Sequence, residues 1–323
     1  MLLVAFLLLC VKEDVGLLVA GFGLALLFYR EWRRMGSLLA VLGALYTAVA
    51  TQVVIPAAGG SSHRYWAYSK IGANVPDALQ HMLLHPLETA GVFVSPVAKV
   101  GTLLWLAVLP LLTAFASPFA LTFLPMLAMR MLATDLPNWW STGFHYNSAV
   151  VMAIFAAGVD GARRIAESEA VTRRLRAKNL DFPRVWSWGT LAVGLVSIPF
   201  FALAQLFTPA FYSPSPRQEA AEAALARVPD GALVEVANAL GPNITGRAGV
   251  VIWRDMPRRA PWVIADVVNP QPIFASLQEQ AADVEALRRC GYMTVFARDG
   301  YVVMRAASPD GEQVLTTPQD CSK

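Results

Sequence analysis

Three groups of polar residues interrupt an otherwise apolar chain, and their types suit the handling of a phosphorylated sugar. The first lies in "LLLCVKEDVGLL", where Lys12, Glu13 and Asp14 separate two runs of Leu, Val and Gly. A charge at the centre of a membrane helix costs about 2.5–3.5 kcal/mol even on a lenient insertion scale, so three in a row must reach water or a polar cavity. The second is "SSHRYWAYSK", with His63, Arg64, Tyr65 and Lys70. The third is "MRMLATDLPNWWSTGFHYN", with Arg130, Asp135, Trp139, Trp140, His145 and Tyr146. Cations neutralise a phosphate, aromatic rings cover the apolar face of a sugar, and carboxylates supply acid–base groups. The competing reading is solvation alone, because Trp, Tyr, Lys and Arg collect at any membrane interface. Arg130, about a turn inside the end of its apolar run, either snorkels to that interface or faces a water-filled cavity.

Other chemistry finds little support. The sequence has no Walker loop, no G-x-G-x-x-G ahead of a helix and no H-E-x-x-H. His81 and His85 have the i, i+4 spacing of a metal pair, but only Glu88 stands near them, and an ordinary interfacial helix accounts for them as well. No metal ligand is therefore assigned, and the need for a divalent cation is left open. Asn243-Ile244-Thr245 has the form of a glycosylation sequon, a triplet that arises readily by chance. No aromatic–basic pattern points to nucleic acid, and a net charge of +3 requires none.

The elements that must position these groups follow from composition. Of 323 residues, 56% are hydrophobic and 15% charged, with a mean hydropathy of +0.47. Soluble domains carry about 25% charged residues, so a polytopic α-helical membrane protein is expected. Its six to seven apolar segments lie at about 1–10, 14–29, 37–55, 101–116, 118–133, 148–162 and 185–208. Several approach the ~20 residues that cross a bilayer. The first is too short, and it lacks the basic flank of a signal peptide. Ser117–Pro118 favours a tight hairpin between the fourth and fifth. Arg30, Arg33 and Arg34 follow the second segment, and Arg163, Arg164, Arg173, Arg174, Arg176, Lys178 and Arg184 precede the last. The positive-inside rule assigns both clusters to the cytoplasm. Residues 56–100, 134–147 and everything beyond about 209 then lie outside, with Lys12–Asp14 in a hairpin at the outer rim. Within 56–100, the stripe from Asp77 to Val92, interrupted at Pro86, suits a helix lying in the interface.

After Phe207 the composition changes. Strand-like "ALVEVANAL", "GVVIW" and "PWVIADV", a helix over about 274–289, and "YMTVFARDGYVVMR" with a hairpin signal at Arg298-Asp299-Gly300 read as a small α/β domain. The expected organisation is a transmembrane helical domain over 1–208, an extracytoplasmic α/β domain over 209–308 and a disordered tail over 309–323. Cys10 is a packed small hydrophobe, whereas Cys290 and Cys321 can pair if the tail meets an oxidising compartment.

Taken together, "LLLCVKEDVGLLVAGFGLALL", "HPLETAGVFVSPVAKVGTLLWL", "SPFALTFLPMLAMRMLA" and "STGFHYNSAVVMAIFAAGVDGARR" resemble the bacterial membrane proteins called domain of unknown function 2079. The tail segments "VPDGALVEVANALGPNITGR" and "GYMTVFARDGYVVMR" resemble that family's C-terminal part. The resemblance implies kinship with GT-C glycosyltransferases, which take a sugar from a polyprenyl-phosphate carrier at the outer face of the plasma (inner) membrane. It also implies further helices and an acidic outer loop that this sequence does not match. A member shortened at its N-terminus, lacking its principal base and inactive alone, is the expectation.

On that basis Lys12, Arg64 and Arg130 are the phosphate contacts, Glu13 and Asp14 the acid–base groups, and His145 and Tyr146 the acceptor side. The partners are a polyprenyl-phosphate-linked sugar and membrane lipids. A lipid or solute transporter, and a non-enzymatic scaffold with a partner-binding outer domain, are the alternatives. Convergence of the outer clusters favours the transferase, a through-going polar path the transporter, and scattering the scaffold.

Overall fold

The computed structural model describes residues 1–59, 66–169, 171, 173, 181–254, 260–271 and 273–307. The chain divides into two compact units, Met1–Ala204 and Gln205–Lys323. The expected tail over 309–323, and with it any pairing of Cys290 with Cys321, lies outside the described residues.

The first unit is helical: α1 (Leu2–Leu9), α2 (Val15–Leu26), α3 (Arg33–Val49), α4 (Val75–Leu84), α5 (Pro86–Val94), α6 (Ala98–Val108), α7 (Ala120–Leu132), α8 (Ser148–Glu167) and α9 (Phe182–Ser197). α3 runs on through a π-helical turn at Ala50–Val54, so that Arg30–Ala57 forms one helix of 28 residues. Among the described residues this is the one helix long and apolar enough to cross a membrane unaided. α5 and α6 reach that length only as a pair bent by 78°, and α2 and α7 are apolar but shorter.

Apolar composition outruns helix length for local reasons. α6 ends at Val108, just ahead of Pro110 and the left-handed Leu111 and Leu112 (φ 53° and 63°). α9 stops at Ser197, after which Ile198–Phe200 tightens into a 3₁₀ turn carrying Pro199, a residue that has no N–H to continue a helix. α8 has 20 residues, but its last turns carry Asp160, Arg163 and Arg164. α4 starts at Asn74, whose side chain accepts from the Asp77 backbone at 2.9 Å, and it gives way to α5 at Pro86, the expected break.

Helical periodicity sorts each long helix into two faces. On α8, Val150, Ile154 and Ala157 are buried while Met152, Phe155 and Val159 stay exposed; on α3, Leu39 and Gly43 are buried while Val41 and Leu45 are exposed. Such uncovered apolar stripes suit lipid. α2 and α3 approach backbone to backbone along glycines. A Cβ on Gly23 would lie 2.4 Å from the Ala40 nitrogen, and one on Gly43 would lie 2.4 Å from the Gly16 carbonyl oxygen. Small residues permit this closeness, which replaces the hydrophobic driving force that lipid does not supply.

The second unit is a five-stranded sheet with a helix on each face. β1 (Leu233–Val236) lies parallel between β2 (Gly249–Ile252) and β3 (Trp262–Asp266), and β5 (Tyr301–Ala306) runs antiparallel between β3 and β4 (Tyr292–Arg298). Alternation places Val234, Val236, Ile264 and Val303 against α10 (Pro216–Leu225). Val263, Ala265, Val302 and Met304 face α11 (Leu277–Arg289). Asp299 and Gly300 both have positive φ, 48° and 83°, as a two-residue type I′ hairpin requires. The helix expected over 274–289 thus begins at Leu277, where Ser276 caps it by accepting from the Glu279 backbone.

The glycine contacts generate a prediction. Gly23→Leu drives a side chain into the α3 backbone and lowers the stability of the detergent-solubilised protein by at least the ~1–3 kcal/mol of overpacking. Gly91→Leu, whose Cβ meets nothing within 4 Å, leaves the thermal midpoint unchanged; equal shifts in the two variants refute the close approach.

Candidate functional site

The turn between α1 and α2 is held against α3, because Thr47 Oγ1 donates to the Glu13 carbonyl at 3.0 Å and the Tyr46 hydroxyl donates to the Leu9 carbonyl. Asp14 therefore sits at the head of α2, and Arg130 occupies the last turn of α7. Arg130 Nη2 donates to Asp14 Oδ2 at 2.9 Å, with side chains only 4% and 9% exposed. Lys12 Nζ donates to the same oxygen at 3.2 Å and stands 3.9 Å from Glu13 Oε1. Both cations lie over the Tyr146 ring, Lys12 at 5.6 Å and Arg130 at 5.8 Å from its centroid, and His145 stacks on that ring at 4.6 Å. The first and third polar groups of the sequence thus meet at one place.

Of the second group, His63, Arg64 and Tyr65 lie outside the described residues. Its remainder is strapped to the loop after α7. The Ala67 carbonyl accepts from the Thr134 backbone at 2.6 Å, and the Asp135 carboxylate accepts from the Ser69 nitrogen at 3.0 Å and the Ser69 hydroxyl at 2.7 Å. Tyr68 feels both members of the ion pair. Burial pushes its hydroxyl well above the usual tyrosine range; Arg130 opposes this and Asp14 adds to it.

Arg130 Nε, Trp140 Nε1 and Asn147 Oδ1 are buried without a hydrogen-bond partner among the described residues. Buried polar atoms are nearly always satisfied, so this end of the bundle holds unspent bonding capacity. At the other ends of the same helices Thr122 Oγ1 is likewise buried without a partner among the described residues, but the charged groups are paired. Ser117 donates to Asp160 Oδ2 at 2.7 Å, Arg164 Nε donates to that oxygen at 2.6 Å, and Arg164 Nη2 donates to the Tyr29 hydroxyl at 2.5 Å.

A family described as predicted membrane proteins, DUF2079, matches residues 1–303. The chain belongs to this family. Neither a curated protein nor a solved structure matches it. Membership in DUF2079 makes the chain a membrane protein and carries no assigned activity.

One residue of this DUF2079 protein escaped the sequence reading. Lys99, at the head of α6, is fully buried and donates to the Val92 carbonyl at 2.9 Å and the Met131 carbonyl at 2.5 Å, with its ammonium 5.7 Å from the Trp140 ring centroid. Met131 is in the last turn of α7, where helical carbonyls lack partners and a cation suits the dipole. Lys99 therefore fixes the end of the helix that presents Arg130. A lysine just before an apolar run reads as an interfacial flank, so the sequence held no signal for this role. His81 Nε2 and His85 Nδ1 stand 3.7 and 3.8 Å from the Glu88 carboxylate, but among the described residues no group of three or more His, Cys, Asp or Glu is placed to hold a metal ion.

Asp135 supplies a pH test of the strap. Burial raises its pKa, but hydrogen bonds from the Ser69 side chain and backbone and from Thr134, with the charge of Lys70, together hold it below the usual carboxylate range. A depressed folded value means the stabilisation is present above the unfolded value of about 3.9 and disappears as pH falls through the folded one. Because the carboxylate is exposed and screened, the effect is under ~1 kcal/mol. Thermal midpoints measured from pH 5 down to pH 2.5 should fall less steeply for Asp135→Asn than for the native protein; parallel slopes contradict the strap.

Proposed function

We propose that this protein contributes the phosphate-binding face of a membrane glycosyltransferase that takes a sugar from a polyprenyl-phosphate donor. The observation that carries the reading is the convergence of Lys12 and Arg130 beside one aromatic ring, with a buried guanidinium nitrogen that has no partner among the described residues. An interface that merely solvates such residues has no need to bring them together from positions so far apart in sequence. Arg64 joins these contacts on the sequence reading. His145 and Tyr146 offer a stacked ring face to a sugar.

In such a transfer an acceptor hydroxyl attacks the anomeric carbon, the bond from that carbon to the phosphate oxygen breaks, and the electron pair leaves with the phosphate. Lys12 and Arg130 stabilise that developing charge. The hydroxyl proton passes to a carboxylate, and of the two in the turn Glu13 is the one not bonded to Arg130. The outer-face orientation is supported by the Arg164–Tyr29 hydrogen bond, which joins the two basic clusters at one end of the bundle. The positive-inside rule makes that end cytoplasmic, and the Asp14–Arg130 end is then extracytoplasmic. Six to seven passes through the inner membrane and an extracytoplasmic second unit complete the proposal.

Arg130→Lys keeps the charge but loses the planar fork. In nanodiscs it should weaken binding of geranyl phosphate roughly tenfold or more and leave the negligible binding of geraniol unchanged. Equal geranyl phosphate affinities in the two proteins sink the phosphate reading.

A further inference from the structure

Arg130 bonds Asp14 through Nη2 alone, to one carboxylate oxygen, although a carboxylate can engage two N–H groups of a guanidinium side by side. The neighbouring donor on the same edge, Nε, is buried and has no partner among the described residues. The oxygen that Arg130 does use, Asp14 Oδ2, is also the acceptor for Lys12. One carboxylate oxygen thus stands between two cations at the place where a phosphate oxygen would bridge them, while half of the guanidinium edge goes unused. A tetrahedral phosphate offers what the carboxylate does not, one oxygen to Nη2 and Lys12 and a second to Nε. Lys12 is 45% exposed at its side chain and Arg130 only 4%, so an anion arriving from the Lys12 side meets the exposed cation first.

We infer that the Asp14 carboxylate is an internal stand-in for the ligand's phosphate, and that an incoming phosphate displaces it from Arg130. The inference rests on the phosphate reading above and gives it a regulation. With no ligand, Asp14 neutralises a buried guanidinium that would otherwise be left uncompensated. With a phosphate bound, Arg130 and Lys12 turn to the ligand and Asp14 is released as a free carboxylate beside it. The site therefore binds its anion only by exchange.

The test uses the full chain in nanodiscs. Carbodiimide-driven labelling of carboxylates with glycine ethyl ester is read by mass spectrometry with and without geranyl phosphate, geraniol and inorganic phosphate, the exposed Glu222 of α10 in the second unit serving as the internal control. Labelling of Asp14 should rise several-fold relative to Glu222 with geranyl phosphate and stay unchanged with geraniol. A rise with inorganic phosphate as well supports a free-phosphate ligand, and a rise with geranyl phosphate alone supports a lipid one. In parallel, Asp14→Asn removes the competing charge and should tighten geranyl phosphate binding about tenfold, with lower thermal stability in the apo protein that the ligand restores. If the native protein binds geranyl phosphate while Asp14 labelling is flat, or if Asp14→Asn binds more weakly, Asp14 is no competitor and only the phosphate reading survives. If neither native protein nor Asp14→Asn prefers geranyl phosphate to geraniol, both inferences fall.

Discussion

The buried ion pair between Asp14 and Arg130 is the constraint on which the helical unit turns. Two charges withdrawn from water are tolerated only together, since either one alone carries a desolvation cost of several kcal/mol. Their pairing therefore fixes the head of α2 against the tail of α7, positions 116 residues apart in sequence. The surrounding hydrogen bonds serve that placement. Thr47 and Tyr46 hold the turn that carries Asp14, while Lys99 holds the Met131 carbonyl in the last turn of the helix that carries Arg130. Tyr146, at the approach to α8, lies beneath both cations.

Some of this could be read from the sequence. Three charges inside an apolar run advertise a polar site, and Arg130 near the end of its segment advertises a partner or a cavity. Which carboxylate it would find was not legible, because nothing local links residue 130 to residue 14. Asp14, expected to do acid–base work, also pairs with Arg130 and Lys12. Lys99 was invisible because its neighbours in space come from two other helices and the loop at Trp140. The second unit was easier. Alternating valines and isoleucines, a capping serine and Asp299-Gly300 are short-range signals, and they specify strands, a helix start and a hairpin without long-range knowledge. Segment composition was a poorer guide to helix length, since hydropathy does not register where a helix stops ahead of Pro110 or Pro199.

The two ends of α2, α7 and α8 contrast in a way that bears on function. One end is closed by Ser117, Asp160, Arg164 and Tyr29, whose bonds among themselves are short and numerous. The other end has one carboxylate oxygen shared by two cations and three buried polar atoms without partners among the described residues. Thr122 Oγ1 is also buried without a partner at the first of these ends, so the asymmetry lies in the charged groups: paired side by side at one end, sharing one carboxylate oxygen at the other.

The glycines that line α2 and α3 carry a geometric consequence. Gly16 faces Gly43 and Gly23 faces Gly36, each close enough that a methyl group would strike backbone. Matched intervals on the two helices, 16 to 23 and 36 to 43, act like the teeth of a vernier. Sliding one helix along the other by a turn would put Val19 or Ala20 where only hydrogen fits. The position of the Lys12–Asp14 turn along α3 is thus set by a ruler of missing side chains.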